Sequence, residues 1–200
     1  MFVNQQTTRL EFRYGRPINY RSEWEMTESE FNLVKASMLS GRQHDITLLI
    51  FQHPLDNMKQ INSDSQLVVI RKPYYQPNIY RLPSGGIIPG EIFEFGVKRE
   101  AQEETGLFIK LHFYLLKARV GFTYRHQKIE WQTHVFTAST SDKKLCPTDT
   151  NEIASARWVS WGALGTNLLK SLQESPSIGL RYRAGLQKEI LRYQAKQIPN

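Results

Sequence analysis

At 200 residues the chain suits one domain of ordinary size, long enough to bury a real core. No run approaches 18 apolar residues, and the opening MFVNQQTTRLEFRYG lacks the charged-then-apolar pattern of a secretory leader. These features argue against a membrane partner and for a cytoplasmic protein. A single cysteine, Cys146, excludes an internal disulfide and a cysteine-built zinc site, while a net charge of +7 suits an anionic partner.

Residues 8–20 read as short extended pieces around Gly15, Arg16 and Pro17. Thr27 and Glu30 then form a capping box, with Met26 and Phe31 at the staple positions and Gly41 able to close the helix. Residues 28–40 are therefore predicted helical, with Phe31, Val34 and Met38 inward. The β-branched runs at 46–52 and 66–72 predict two antiparallel strands across a long polar loop. The segment KPYYQPNIYRLPSGG is irregular and leads into a short predicted strand at 79–82. Its tyrosines either line a pocket or cover the core.

Residues 85–107, GGIIPGEIFEFGVKREAQEETGL, carry the strongest pattern in the chain. A helix entered near Ile92 and Phe93 and left at Gly106 turns Phe93, Val97 and Ala101 toward the core. It also puts Glu100, Glu103 and Glu104 on one face, at i, i+3 and i+4. Three acids in the last turn oppose the helix dipole and repel one another. Such a conflict is the mark of a site, and the simplest compensation is a hard divalent cation, Mg²⁺ or Mn²⁺. Gly96, on the side of Glu100 and Glu103, leaves room for ligand or backbone.

Beyond Gly106, residues 108–124 and 128–137 predict strands joined by a turn at 124–127. A polar loop (142–149), a short strand (156–161) and helices at 162–173 and 177–196 follow. The last helix turns Tyr182, Leu186, Ile190 and Tyr193 inward and carries Arg181, Arg183, Lys188, Arg192 and Lys196 as a basic face. Strands with helices at both ends predict an α/β (α+β) sandwich.

Gly85, Glu91, Arg99, Glu100, Glu103, Glu104 and Gly106 match the signature of the Nudix hydrolase family position by position, with Ala101 and Leu107 in its apolar slots. Chance gives such a match on the order of once in a million chains of this length. The resemblance implies a Nudix-type α/β/α sandwich with a mixed sheet, in which residues 45–200 form the hydrolase domain. Residues 1–44 would be an N-terminal extension with one helix, packed on that core. It further implies a metal-dependent pyrophosphohydrolase. Glu100 and Glu104 would be the main metal ligands, with Glu103 as a further ligand or the general base. Arg99 and Glu91 would orient these acids through charge-assisted hydrogen bonds, and Gly85, Gly86 and Gly106 would shape the loops. Glu104→Gln is expected to leave folding nearly unaffected.

Some family members take a further acid from elsewhere in the chain. Glu152, after the polar loop, and Glu130, on a strand, are the rivals, and Glu152 is preferred because its loop has freedom to adapt. Tyr124 stands 17 residues after Leu107, near where dinucleoside polyphosphate hydrolases of the family often carry a tyrosine. Tyr80 is a further candidate for substrate contact, and Arg71, Arg81 and Arg119 are candidates for holding phosphate. The expected substrate is a small-molecule nucleotide derivative, such as ADP-ribose, a dinucleoside polyphosphate or a nucleotide sugar. A 5′ RNA end tracked by the basic last helix is the second reading, and a non-catalytic nucleotide sensor the third. A homodimer is compatible with all three.

Overall fold

The computed structural model describes residues 2–42 and 44–197. Seven strands form one mixed sheet: β1 (Ile18–Glu25), β2 (His44–Phe51), β3 (Gln66–Arg71), β4 (Ser84–Gly86), β5 (Lys110–Tyr124), β6 (Gln127–Ser139) and β7 (Ser155–Ser160). The order is β1-β5-β6-β2-β3-β7, with β4 paired to β2. β1 runs parallel to β5 and β2 parallel to β6, and the remaining pairs are antiparallel. As the central strand, β2 is buried on both faces, which is why its sequence reads as a nearly continuous apolar run.

Two helical layers cover the sheet. On one face α1 (Phe2–Tyr14) and α3 (Phe93–Thr105) close a core around Ile46, Leu48, Ile50, Val68, Val97, Ala101 and Phe136. On the other face lie α2 (Glu28–Leu39), α4 (Trp161–Ala163), α5 (Leu169–Gln173) and α6 (Ile178–Gln197). They pack over Phe31, Leu49, Phe51, Leu67, Val120, Val135, Leu186 and Ile190. The result is the α/β sandwich that the patterning predicts, in the α/β/α form with a mixed sheet that the resemblance implies.

Three local expectations change. Of residues 8–20, expected to be extended, 8–14 belong to the helix α1 and only 18–20 are extended, in β1, so two helices, not one, precede β2. The α1 segment holds no Gly or Pro, and Gly15 (φ 87°) and Pro17 only mark its end. Residues 79–82 make a single bridge, Ile70 to Arg81, and the strand falls instead at 84–86. The predicted helix at 162–173 contains a π-helical stretch, Leu164–Leu168, between α4 and α5.

These details position the signature helix. α3 has no side-chain cap of its own at Ile92. Gln6 of α1 supplies one, accepting the Phe93 N–H at 2.7 Å and donating to the Glu91 carbonyl at 3.2 Å. At the other end Gly106 takes φ 76°, and a Cβ there would collide with the Cys146 backbone. That tight approach lets the loop after β6 cap α3: Cys146 N–H donates to Thr105 O, and Thr148 and Asp149 N–H to Glu103 O.

Candidate active site

The site lies where β2 and β3 diverge. These strands share only the Phe51 to Leu67 pair, and the chain from Arg81 to Gly86 fills the gap between them. Arg81 bridges to Ile70 of β3, and Ser84, Gly85 and Gly86 then pair with Thr47, Ile46 and Asp45 of β2. The gap is thereby walled by small residues facing the acidic side of α3. A Cβ at Gly85 would collide with the Glu100 carboxylate, and one at Gly86 with the Arg42 guanidinium.

Arg99 organises one half of the cluster. Its Nη2 and Nε clasp Glu91 at 2.9 and 3.3 Å, Nη2 also donates to the Gly86 carbonyl, and Nη1 donates to Glu100 at 3.0 Å and Glu103 at 2.7 Å. Burial disfavours the Arg99 charge, but the three carboxylates outweigh it and raise its pKa. The space that Gly96 leaves belongs to Glu91, since a Cβ there would press on the Glu91 carboxylate and on Ile87.

Glu104 turns away from its two neighbours. It accepts from Arg81 Nη2 at 3.1 Å and from the Ser84 N–H at 2.6 Å, in a buried position. Burial pushes its carboxyl up, and Arg81 and the Ser84 amide pull it back. Because Arg81 and Arg99 divide the three acids between them, no three acids or histidines among the described residues stand together as a ready cation site. The Glu100 carboxyl is also raised. Desolvation, aided by Glu104 and Glu103, raises its pKa to about 7 against the pull of Arg99.

Other candidates fall into two groups. Glu152 pairs with Lys72 at 2.5 Å, and after Asp45 and Glu100 it is the smallest of the charges that raise the pKa of Arg42 against the cost of burial. Glu130 bonds instead to Lys128 and lines a shallow hollow with Arg119 on β5 and β6, away from the α3 acids. Tyr124 packs on Phe31 of α2, with ring centroids 5.9 Å apart. Tyr80 bonds to Ser155 and lies under Arg157, and its hydroxyl pKa is lowered by Ser155 and Arg71. Thus Glu130, Arg119, Tyr124, Tyr80 and Arg71 make no bond to the acids of α3. Arg81, expected to hold phosphate, is instead buried and bonded to Glu104, Ser84 and the Leu82 carbonyl.

The fold adds residues that local patterning does not mark. Arg42, in the turn after α2, pairs with Asp45 at 2.7 Å, and its buried Nε has no partner. Arg183 leaves the basic face of α6 and donates to Ser84 Oγ, with Asp45 3.9 Å away. Lys72 and Tyr75 complete the surround: Lys72 and Arg183 both lower the Glu104 pKa, and Arg81 and Arg183 lower that of Tyr75 against burial. Carboxylates on one wall and guanidinium groups on the other can neutralise a polyanionic substrate and bind a cation beside it.

A model of the NUDIX domain matches residues 57–178. A putative 8-oxo-dGTP diphosphatase of Bacillus subtilis (strain 168) is 30% identical over 104 residues, which are 52% of this chain and 64% of that protein. The match thus spans just under two thirds of the relative's length. Two solved structures are also similar. An Ap4A hydrolase binary complex from C. elegans is 13% identical, covering 76% of this chain and 98% of the other at a TM-score of 0.45. The NUDIX domain of Shewanella oneidensis NrtR, complexed with ADP ribose, is 17% identical, covering 83% and 99% at a TM-score of 0.45.

Proposed function

The chain belongs to the NUDIX family, and from that premise we propose that it is a metal-dependent hydrolase of a phosphoanhydride bond. Its substrate is a nucleoside diphosphate linked to a second moiety, as in ADP-ribose, a dinucleoside polyphosphate or a nucleotide sugar. The observation that carries this reading is Arg99 bonded at once to Glu91, Glu100 and Glu103, beside a Glu104 that is itself anchored. Acids held in place by Arg99 and Arg81, with Arg42, Arg183 and Lys72 nearby, are an arrangement for charge-rich phosphate chemistry. On this reading residues 45–200 are the hydrolase domain, and residues 1–44 an extension that braces it through Gln6.

The family is generally dependent on a divalent metal, and the donor set suits one. Glu100 and Glu103 offer hard oxygens, and the burial that raises the Glu100 pKa is relieved by a cation at that carboxylate. Glu100 would hold it together with Glu103, or with Glu104 where Glu103 serves instead as the base. When bound, the ion supplies charge neutralisation on phosphate oxygens and a water of lowered pKa. The remaining work falls to side chains of this chain. Arg99 and Glu91 fix the rotamers of Glu100 and Glu103. Glu103, whose side chain is 39% exposed, is the acid best placed to take a proton from water, with Glu152 as its alternative. Arg42 and Arg183, held by Asp45, receive phosphate oxygens. Arg81 and the Ser84 amide keep Glu104 in place.

The test is a screen of nucleoside diphosphate derivatives for release of phosphate-containing products with Mg²⁺ or Mn²⁺. Metal-dependent turnover of at least one small-molecule class is expected. Turnover confined to 5′-triphosphorylated RNA would replace this substrate reading, and nucleotide binding without turnover would make the protein a sensor.

A further inference from the structure

Beside the acids, α2, the tyrosine segment before β4 and the start of α6 enclose a pocket of about 470 Å³. That volume lies within the range of about 300–1,000 Å³ usual for small-molecule sites. Leu33 and Val34 form one wall, and Tyr74, Tyr75 and Ile79 the other. Leu33 and Tyr74 are 69% and 77% exposed, so large apolar surface faces water at the mouth. Tyr74 and Tyr75 meet edge to face, with centroids 5.0 Å apart.

Two connections join this pocket to the phosphate-binding cations. Arg183 is part of its wall and also donates to Ser84 at the site. Tyr75, on the opposite wall, feels both Arg81 and Arg183. A ligand with its phosphates among the arginines would therefore have its organic end at this apolar mouth. The wall also holds one carboxylate. Glu30 Oε1 accepts from Ser177 Oγ at 2.7 Å and Gly179 N–H at 3.1 Å, and Oε2 accepts from Thr27 Oγ1 at 3.0 Å. These donors outweigh burial and lower its pKa, so Glu30 can only accept hydrogen bonds. The Ile178 N–H adds to these donors, so Glu30 is spent on holding α2 against the start of α6 and fixes that wall of the pocket.

We propose that this pocket takes the nucleobase of the substrate, stacked on its tyrosine wall. The proposal rests on the phosphoanhydride-hydrolase reading. The aromatic wall suits a flat π-face, and shared Arg183 sets the base next to its own phosphates. Glu30, Leu33 and Val34 precede residues 57–178 and Arg183 follows them, so the flanks of the family domain supply much of this site.

The experiment uses the full chain with Leu33→Asp and Tyr74→Ala, both at exposed positions, after circular dichroism has established that each variant is folded. Steady-state kinetics compare ADP-ribose, its inosine counterpart and phosphoribosyl pyrophosphate, which has no base. In each variant, discrimination between ADP-ribose and the base-free compound should fall about tenfold, as a rise in KM. Equal losses on all three compounds, or unchanged discrimination, would overturn the proposal. Should the wild type turn over none of them, the hydrolase reading fails separately, and calorimetric binding of AMP and of base-free ribose 5-phosphate decides the pocket. Tighter AMP binding that both variants weaken supports it, while binding that is absent, indifferent to the presence of the base or unaffected by the variants refutes it.

Discussion

Arg81 Nη2 and Glu104 Oε1 lie 3.1 Å apart, with the two side chains only 2% and 6% exposed. Breaking such a pair by removing one partner strands the other charge in the interior, a loss of about 3–5 kcal/mol. Glu104→Gln should therefore lower the unfolding free energy by about 3 kcal/mol as well as reduce activity. This revises the expectation, drawn from the signature alone, that folding would be nearly unaffected. Urea unfolding checks it, and a loss under about 1 kcal/mol would mean that Arg81 finds another acceptor. The double variant with Arg81→Met should lose less than the sum of the two single variants.

Glu152 and Glu130 give opposite expectations. Glu152 acts on Arg42 at the site, while Glu130 is tied to Lys128 on β6. Glu152→Gln should lower kcat about tenfold or more, the lower range for a group acting in proton transfer, and Glu130→Gln should leave it within about twofold. Parallel kinetics on one substrate decide between them. A large loss at residue 130 alone would reverse the assignment, and small losses at both would leave the base to Glu103.

The acids of α3 are legible in the sequence because their spacing follows the helical period and Gly106 marks the end of the helix. The strands of the core are legible for a similar reason, through runs of apolar and β-branched residues. α1 is not, because a 13-residue helix is marginal by itself. It exists through contacts far along the chain: Leu10 and Tyr14 pack into the core that holds Phe136, and Gln6 caps α3. Arg42 and Asp45 carry no local mark, and Arg183 shows only as one of a basic face, since only the sheet and α6 bring the three together. Tyr124 misleads in the other direction. Its distance from Leu107 fits a family habit, yet the hairpin at Arg125 and His126 turns its ring onto α2.

A buried polar chain beneath α3 makes stability depend on pH. His134 Nε2 lies 2.9 Å from His44 Nδ1, and its Nδ1 bonds to the Tyr114 hydroxyl. Phe93 of α3 packs on both rings, and Lys117 adds positive charge. Burial, with His44 and Lys117, drives the His134 pKa well below its ordinary value of 6.5. The unfolded chain thus binds the proton first, so this stability is complete above pH 6.5 and is lost as pH falls toward the folded pKa. The loss is at most about 1.4 kcal/mol per pH unit for one proton. Glu100 contributes with the opposite sign, because its raised pKa favours the folded form as pH falls from about 7. Denaturant unfolding of wild type and His134→Gln at pH 7 and 5 separates the two. The wild type should lose more stability than the variant between these values, and equal losses would refute a neutral, buried His134.

The central claim is that Glu100 and Glu103, held by Arg99, carry a metal-dependent phosphoanhydride hydrolysis. It is tested most directly by the initial rate on the best pyrophosphate substrate across a Mg²⁺ titration, for the wild type and the Glu100→Gln, Glu103→Gln double variant. The wild-type rate should rise with Mg²⁺ and fall to background with chelator. The variant should stay at least about 10²-fold slower at every concentration, a difference of several kcal/mol in transition-state stabilisation. A wild-type rate indifferent to metal, or a variant as fast as wild type under saturating Mg²⁺, would contradict the account.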